Sequence, residues 1–383
     1  MKKNVMVIYG TRPEAIKVAP LIKALEQSDV LAPVTLVTGQ HREMLDQVNE
    51  LFGIVPEMDL DLMRPNQALN EMSSRLLSLL DPILVERRPD AVVVQGDTTT
   101  VAVAALASFY REIPVVHLEA GLRSHNIHSP FPEEANRRIA GQVTALHLAP
   151  TAGARDNLLR EAFDPHDVVV TGNTVIDALL FTSEVEGHWD DPRLAELAES
   201  GRPIILVTTH RRENIGKPME ETADGLARIA DRYPGHTIVL PMHRNPLVRD
   251  ALVPRLGDKP NVLLIEPLDY LQFTHAQQLA TLVITDSGGV QEEAPSFGKP
   301  VLVLRENTER PEAVDAGTVK LIGTDPDRIV AEVSRLLDDP AAYAEMAQAS
   351  NPYGDGHASE RCVAAIAALL GVGTRLPDYA PQA

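Results

Sequence analysis

The stretch Ala91-Val92-Val93-Val94-Gln95-Gly96-Asp97-Thr98-Thr99-Thr100 decides the fold. Its first five residues show no polar alternation, so they read as a strand buried on both faces, which needs helices on both sides of a parallel sheet. Gly96 turns the chain, and a threonine hydroxyl is available to cap the helix predicted over Thr99 to Arg111. A further strand follows over Ile113 to Leu118. Upstream, Val5 to Tyr9 and Val34 to Thr38 read as strands, with helices predicted over Glu14 to Glu26 and Ala68 to Arg87. Downstream, Asn136 to Thr144 reads as a helix and Ala145 to Ala149 as a strand. The rhythm then repeats through strands at Ile204 to Thr208, His236 to Leu240, Val262 to Ile265, Leu282 to Thr285 and Val301 to Leu304. Strand–helix alternation twice over predicts an α/β protein of two doubly wound, Rossmann-like domains. The polar stretch from Ser183 to Arg202 marks the join. The expected boundaries are 1–172, 173–357 and a last helix with its tail over 358–383.

Composition narrows the partners. With 35 basic and 54 acidic residues the net charge is −19, which repels nucleic acid and anionic membrane surfaces. An anionic ligand would need local cations to overcome that field. The single cysteine, Cys362, excludes an internal disulfide framework, and no apolar run reaches the roughly 18 residues of a membrane span. A cytoplasmic location is the expectation. There is no His-Glu-x-x-His and no other metal-ligand spacing, so no metal is expected. No Gly-x-Gly-x-x-Gly follows the first strand, which argues against a nicotinamide cofactor.

In open α/β sheets ligands bind beyond the carboxyl ends of the strands. The residues there are rich in ionisable groups: Arg12 and Glu14 after the first strand, Asp97 after Gln95, Glu119 and Arg123 after Leu118, His210 to Asn214 after Thr208, and Asp286 to Gly289 after Thr285. Each has a plainer reading. Ser287 suits a helix N-cap as well as a pyrophosphate turn built on Gly288 and Gly289. Glu133 has the position of an ordinary helix-start acid. Glu292 and Glu293 complement a helix dipole or accept from ribose hydroxyls. His210 with Arg211 and Arg212 is a solvated basic loop or a phosphate site, and His147 reads as structural.

Taken in order, several segments resemble the non-hydrolysing UDP-N-acetylglucosamine 2-epimerases. They are Gly10-Thr11-Arg12-Pro13-Glu14-Ala15-Ile16-Lys17, Gln95 to Thr100, His117-Leu118-Glu119-Ala120-Gly121-Leu122-Arg123, Pro132-Glu133-Glu134-Ala135-Asn136-Arg137, Thr171 to Asp177, His210 to Asn214, Asp286 to Pro295, Thr308 to Glu312 and Asn351 to Gly356. The resemblance implies a glycosyltransferase-B-like pair of domains around a central cleft, usually a homodimer, with the C-terminal helix crossing back to the first domain. It implies interconversion of UDP-GlcNAc and UDP-ManNAc with no redox cofactor. By matching positions it makes Asp97, Glu119, Glu133 and His210 catalytic candidates. Arg12, Lys17, Phe273, Ser287, Gly288, Gly289, Glu293 and Arg310 become the UDP-sugar contacts. Some bacterial members are activated by UDP-GlcNAc at a second site; Gln40, His41, Arg211 and His243 match it, whereas Glu43 and Asn66 depart from the Gln and Arg of regulated members.

Chemistry agrees with that reading. C2 of the sugar has no neighbouring carbonyl, so its proton is a poor acid. The route the resemblance implies, eliminating UDP across C1–C2 to 2-acetamidoglucal and adding it back with the proton on the other face of C2, avoids direct exchange of that proton and calls for carboxylates near C2 and cations near the diphosphate. Rival readings are a hydrolysing epimerase, an epimerase of a modified UDP-sugar, a glycosyltransferase of the same fold and a non-enzymatic UDP-sugar sensor.

Overall fold

The computed structural model describes residues 1–39, 42–64 and 67–381, without the side chains of 42–44. Among the described residues thirteen strands form two parallel sheets. The first contains β1 (Lys3–Tyr9), β2 (Leu31–Val37), β3 (Met58–Asp59), β4 (Ala91–Gln95), β5 (Val115–Leu118), β6 (Leu146–Ala149) and β7 (Val168–Val170), in the order β3-β2-β1-β4-β5-β6-β7. The second contains β8 (Ile204–Thr208), β9 (Thr237–Pro241), β10 (Val262–Ile265), β11 (Ala280–Thr285), β12 (Val301–Val303) and β13 (Val319–Leu321), in the order β10-β9-β8-β11-β12-β13. Both orders reverse direction once, between β1 and β4 and between β8 and β11. Such a reversal splays the following loops apart and opens a crevice at the strand ends. Both sheets are therefore doubly wound.

Each sheet is buried for the reason its sequence gives. Val92, Val93 and Val94 are fully buried, and a buried valine contributes about 1.5–3 kcal/mol. On one face, β1 and β4 pack against the helix Leu69–Arg87, which buries Met72, Leu76, Leu80 and Leu84, one residue per turn. In the second sheet the helix Pro326–Asp338 buries Ile329, Val333 and Leu336 against Ile205, Val207 and Leu302.

The chain divides into two compact units, Met1–Leu180 with Tyr353–Pro381, and Phe181–Pro352. The changeover falls after Leu180, inside the helix Thr174–Glu184, and the chain returns at Tyr353; the sequence reading set these at 172 and 357. Hydrogen bonds explain where the seam lies. The Asn173 N–H donates to the Tyr353 carbonyl at 2.6 Å. Asp177 accepts from the N–H groups of Ala358 (3.2 Å) and Ser359 (2.7 Å), the first residues of the helix Ala358–Leu369. That helix packs on the helix Arg12–Gln27 of the first unit. No described helix is long and apolar enough to cross a membrane.

Candidate active site

The loops after β1 and β4, either side of the first reversal, are tied together by one buried acid. Glu14 accepts from the N–H groups of Gly10 (2.8 Å) and Thr11 (2.7 Å) and from the Thr98 hydroxyl (2.5 Å). Thr11 returns a bond to the Glu14 N–H, completing a capping box at the start of the helix. Burial pushes the Glu14 carboxyl above the usual range, against the pull of those donors. Glu14 thus fixes the loop that carries Arg12. Arg12 is half-buried, with no ion pair among the described residues.

The two acids on adjacent strand ends are held differently. Glu119, directly after β5, has a left-handed backbone (φ 64°), a conformation that costs a non-glycine residue about 1–3 kcal/mol and clusters at working sites. Its Oε1 is paired with the Lys17 ammonium and accepts from the Asn173 amide (3.1 Å), and its Oε2 accepts from the Gln95 amide (2.5 Å). Lys17, expected among the substrate contacts, is thus paired with Glu119. Asp97 lies beyond the positive-φ turn at Gly96, with its side chain about one-third exposed. Its Oδ2 is paired with Arg137, and the Asn136 amide donates to its carbonyl at 3.0 Å.

Arg137 and Asn136 belong to the helix Glu133–Gln142, which starts three residues earlier than the sequence suggests. Glu133 opens it, half-buried and without an ion pair among the described residues. Its neighbour Glu134 is fully buried and accepts from Ser124 N–H, Arg137 and Arg138. Burial would raise its carboxyl, but those three donors outweigh it and the net shift is downward. Sequence reasoning passed over Glu134; its i,i+3 and i,i+4 spacing to Arg137 and Arg138 was the available signal.

Beneath the acids, His117 and His147 face each other in register on β5 and β6. Burial drives His117 down to about 4 and His147 to about 3, so both are neutral. His117 Nε2 lies 2.7 Å from the Gly96 carbonyl and steadies the turn before Asp97.

In the second unit the knot is Asp286. This wholly buried carboxylate accepts from the Thr209 hydroxyl (3.0 Å), the N–H groups of His210 (3.0 Å) and Arg211 (3.0 Å) and the Asn214 amide (3.0 Å). It locks the loop after β8 to the end of β11. His210 Nδ1 is 3.4 Å from Asp286 Oδ1, and its ring stacks on His243 with centroids 5.8 Å apart. Burial lowers the His210 imidazole; Asp286 opposes this, and His243 and Arg211 add to it. Arg211 pairs with Glu309 at 3.2 Å.

Ser287 takes the N-cap position of the short helix Gly288–Glu293, but its side chain makes no capping bond, so the plainer reading of that hydroxyl is not realised. A Cβ at Gly288 would crowd the Arg310 guanidinium and push that side chain aside. Arg310 lies over the turn, paired with Glu292 (2.5 Å) and Glu309 (2.9 Å). Burial raises Glu309, but Arg310 and Arg305 overcome that and hold it at about 2. Glu293 accepts from the Gln277 amide (3.0 Å), and Phe273 is half-buried on the helix Tyr270–Leu279. Gln40, His41, Asn66 and the Glu43 side chain fall outside the described residues.

Residues 23–367 match the family model described as UDP-N-acetylglucosamine 2-epimerase. The chain belongs to that family. It is 52% identical over 369 residues to the UDP-N-acetylglucosamine 2-epimerase of Salmonella typhimurium, covering 95% of this chain and 98% of the relative. A Staphylococcus aureus protein solved with UDP has a TM-score of 0.87 at 47% identity, covering 99% of this chain and 100% of that one. The UDP-GlcNAc 2-epimerase of Neisseria meningitidis, solved with UDP-GlcNAc, has a TM-score of 0.84 at 45% identity, covering 94% and 98%. Both solved structures share the fold described above.

Proposed function

We propose that the protein is a non-hydrolysing epimerase that interconverts UDP-GlcNAc and UDP-ManNAc. The observation that carries this is the pair of carboxylates Asp97 and Glu119, on adjacent strand ends beside the first sheet's reversal, each held by a cation. The family relatives named for this reaction support the substrate.

One carboxylate, Asp97 or Glu119, takes the C2 proton. The C–H electron pair becomes the C1=C2 bond, and the C1–O bond breaks with its pair going to UDP. Glu133 then delivers a proton to the opposite face of C2, where the C1=C2 pair forms the new C–H bond, and a diphosphate oxygen lone pair re-forms the bond to C1. No electrons leave the substrate, so no redox cofactor is needed. His210, whose imidazole is shifted downward by its surroundings, donates an N–H to the departing phosphate. Arg12, Ser287, Gly288, Gly289 and Arg310 meet the diphosphate, with Phe273 and Glu293 toward the nucleoside and Lys17 toward the sugar. The proposal includes a homodimer working in the cytoplasm.

Proton NMR of UDP-GlcNAc with the enzyme in D2O tests this. The expected result is UDP-ManNAc carrying deuterium at C2, without build-up of free sugar. Stoichiometric UDP and ManNAc would instead identify a hydrolysing enzyme, and epimerisation without C2 exchange would overturn the elimination route.

A further inference from the structure

We propose that Glu134 is a positioning residue for the reaction, acting on Asp97 through Arg137. The inference rests on the reading of Asp97 as an acid–base residue.

The geometry is a relay of three side chains. Arg137 presents Nη1 to Glu134 Oε2 at 2.9 Å and Nη2 to Asp97 Oδ2, so one guanidinium bridges two carboxylates. Glu134 is the fixed end. Its side chain has no exposure, and the Ser124 N–H (3.0 Å) and Arg138 Nε (3.0 Å) anchor it from two further directions. Arg137 is only 12% exposed, so it has little room to leave. Asp97 is the working end, open to solvent on the side the bridge leaves uncovered. Its Oδ1 has no hydrogen-bond partner among the described residues. A guanidinium held at both forks binds one oxygen of Asp97 and leaves the other for a proton.

The surrounding charges fit this division. Glu134 and Asp97 carry two negative charges and Arg137 and Arg138 two positive ones, while Arg123 is occupied by Glu161 (2.8 Å) and His117 is neutral. Arg137 is therefore shared between two anions rather than given to Asp97 alone. The Asn136 amide holds the Asp97 carbonyl from the same helix, and Glu133 is that helix's first residue. One rigid element thereby sets Asp97 and Glu133 relative to each other. A displacement of about 1 Å at such a group costs roughly a hundredfold in rate.

The test is kcat and KM for UDP-GlcNAc in Glu134→Ala, Glu134→Gln and Arg137→Lys, each alone and combined with Asp97→Asn, with melting curves for all. Residual rates are followed at high enzyme concentration. Glu134→Ala is expected to lower kcat by about 10- to 100-fold with KM within about twofold, and Glu134→Gln to recover part of the loss. In the Asp97→Asn background the same change should cost less than about threefold, because the group it positions is already disabled. Equal losses in both backgrounds, or an unchanged kcat, would overturn the inference. If Glu134→Ala does not fold, Arg137→Lys decides: it keeps the charge but cannot bridge two carboxylates, and full activity there refutes the relay. Normal turnover by Asp97→Asn alone would instead remove the reading on which the inference rests.

Discussion

Asp97 and Asp286 occupy matching places, each just past the strand that flanks its sheet's reversal, yet they are built for opposite ends. Asp286 has no exposure and four donors around it, two of them backbone N–H groups of the loop after β8. All four converge on Oδ2, and with no exposed surface neither oxygen can meet a substrate. Asp97 is one-third exposed and held by a single guanidinium on one oxygen. A strand-end carboxylate is thus available for chemistry only when the fold leaves part of it exposed.

The sharpest way to break this contrast is to remove each charge. Asp97→Asn should lower epimerisation by roughly 10²–10⁴-fold, the usual share of a general acid or base, with a melting temperature close to wild type. Asp286→Ala should instead act on folding. It strands several buried donors, each worth about 1–3 kcal/mol, and should destabilise the second unit by on the order of 3–5 kcal/mol in a denaturant titration. If Asp286→Ala melted normally but lost only activity, the two aspartates would not differ as described.

Acid should separate the two units next. His117 and His147 are neutral in the fold, at about 4 and about 3, against about 6.5 in an unfolded chain. Between pH 6.5 and about 4 the unfolded chain binds more protons, so stability falls as pH falls, by about 1.4 kcal/mol per pH unit for each histidine. Urea midpoints of the first unit should follow that slope, and His147→Phe should make it shallower. A pH-independent midpoint over that window would contradict it. The smallest effect belongs to Ser287→Ala. Because the hydroxyl does not cap, stability should change by less than about 0.5 kcal/mol, whereas a true N-cap costs about 1; KM for UDP-GlcNAc should rise severalfold in the same variant.

Much of this was legible in the sequence because burial on both faces leaves a periodicity-free apolar run, as in Ala91–Gln95. The strands Met58–Asp59, Val168–Val170 and Val319–Leu321 were not, since two or three residues carry no pattern and are fixed by their neighbours in the sheet. The acids show the same limit. Asp97 and Asp286 look alike in a chain, because what distinguishes them is donors 40 and 72 to 77 residues away. Glu133 and Glu134 look alike for the same reason. Helical spacing alone sets two arginines beside Glu134, but only the fold brings the Ser124 N–H to it.

The return of Tyr353–Pro381 to the first unit also orders events on the ribosome. The first unit cannot close until the second has been synthesised, because the groove that receives Cys362, Ala365 and Ile366 stays unfilled until then. At roughly 5–20 residues per second the intervening segment takes on the order of ten seconds or more to make. For that interval the nascent chain carries an incomplete first unit whose apolar partners for Cys362, Ala365 and Ile366 are uncovered. The step most exposed to chaperones and to aggregation therefore comes after the second unit has been made.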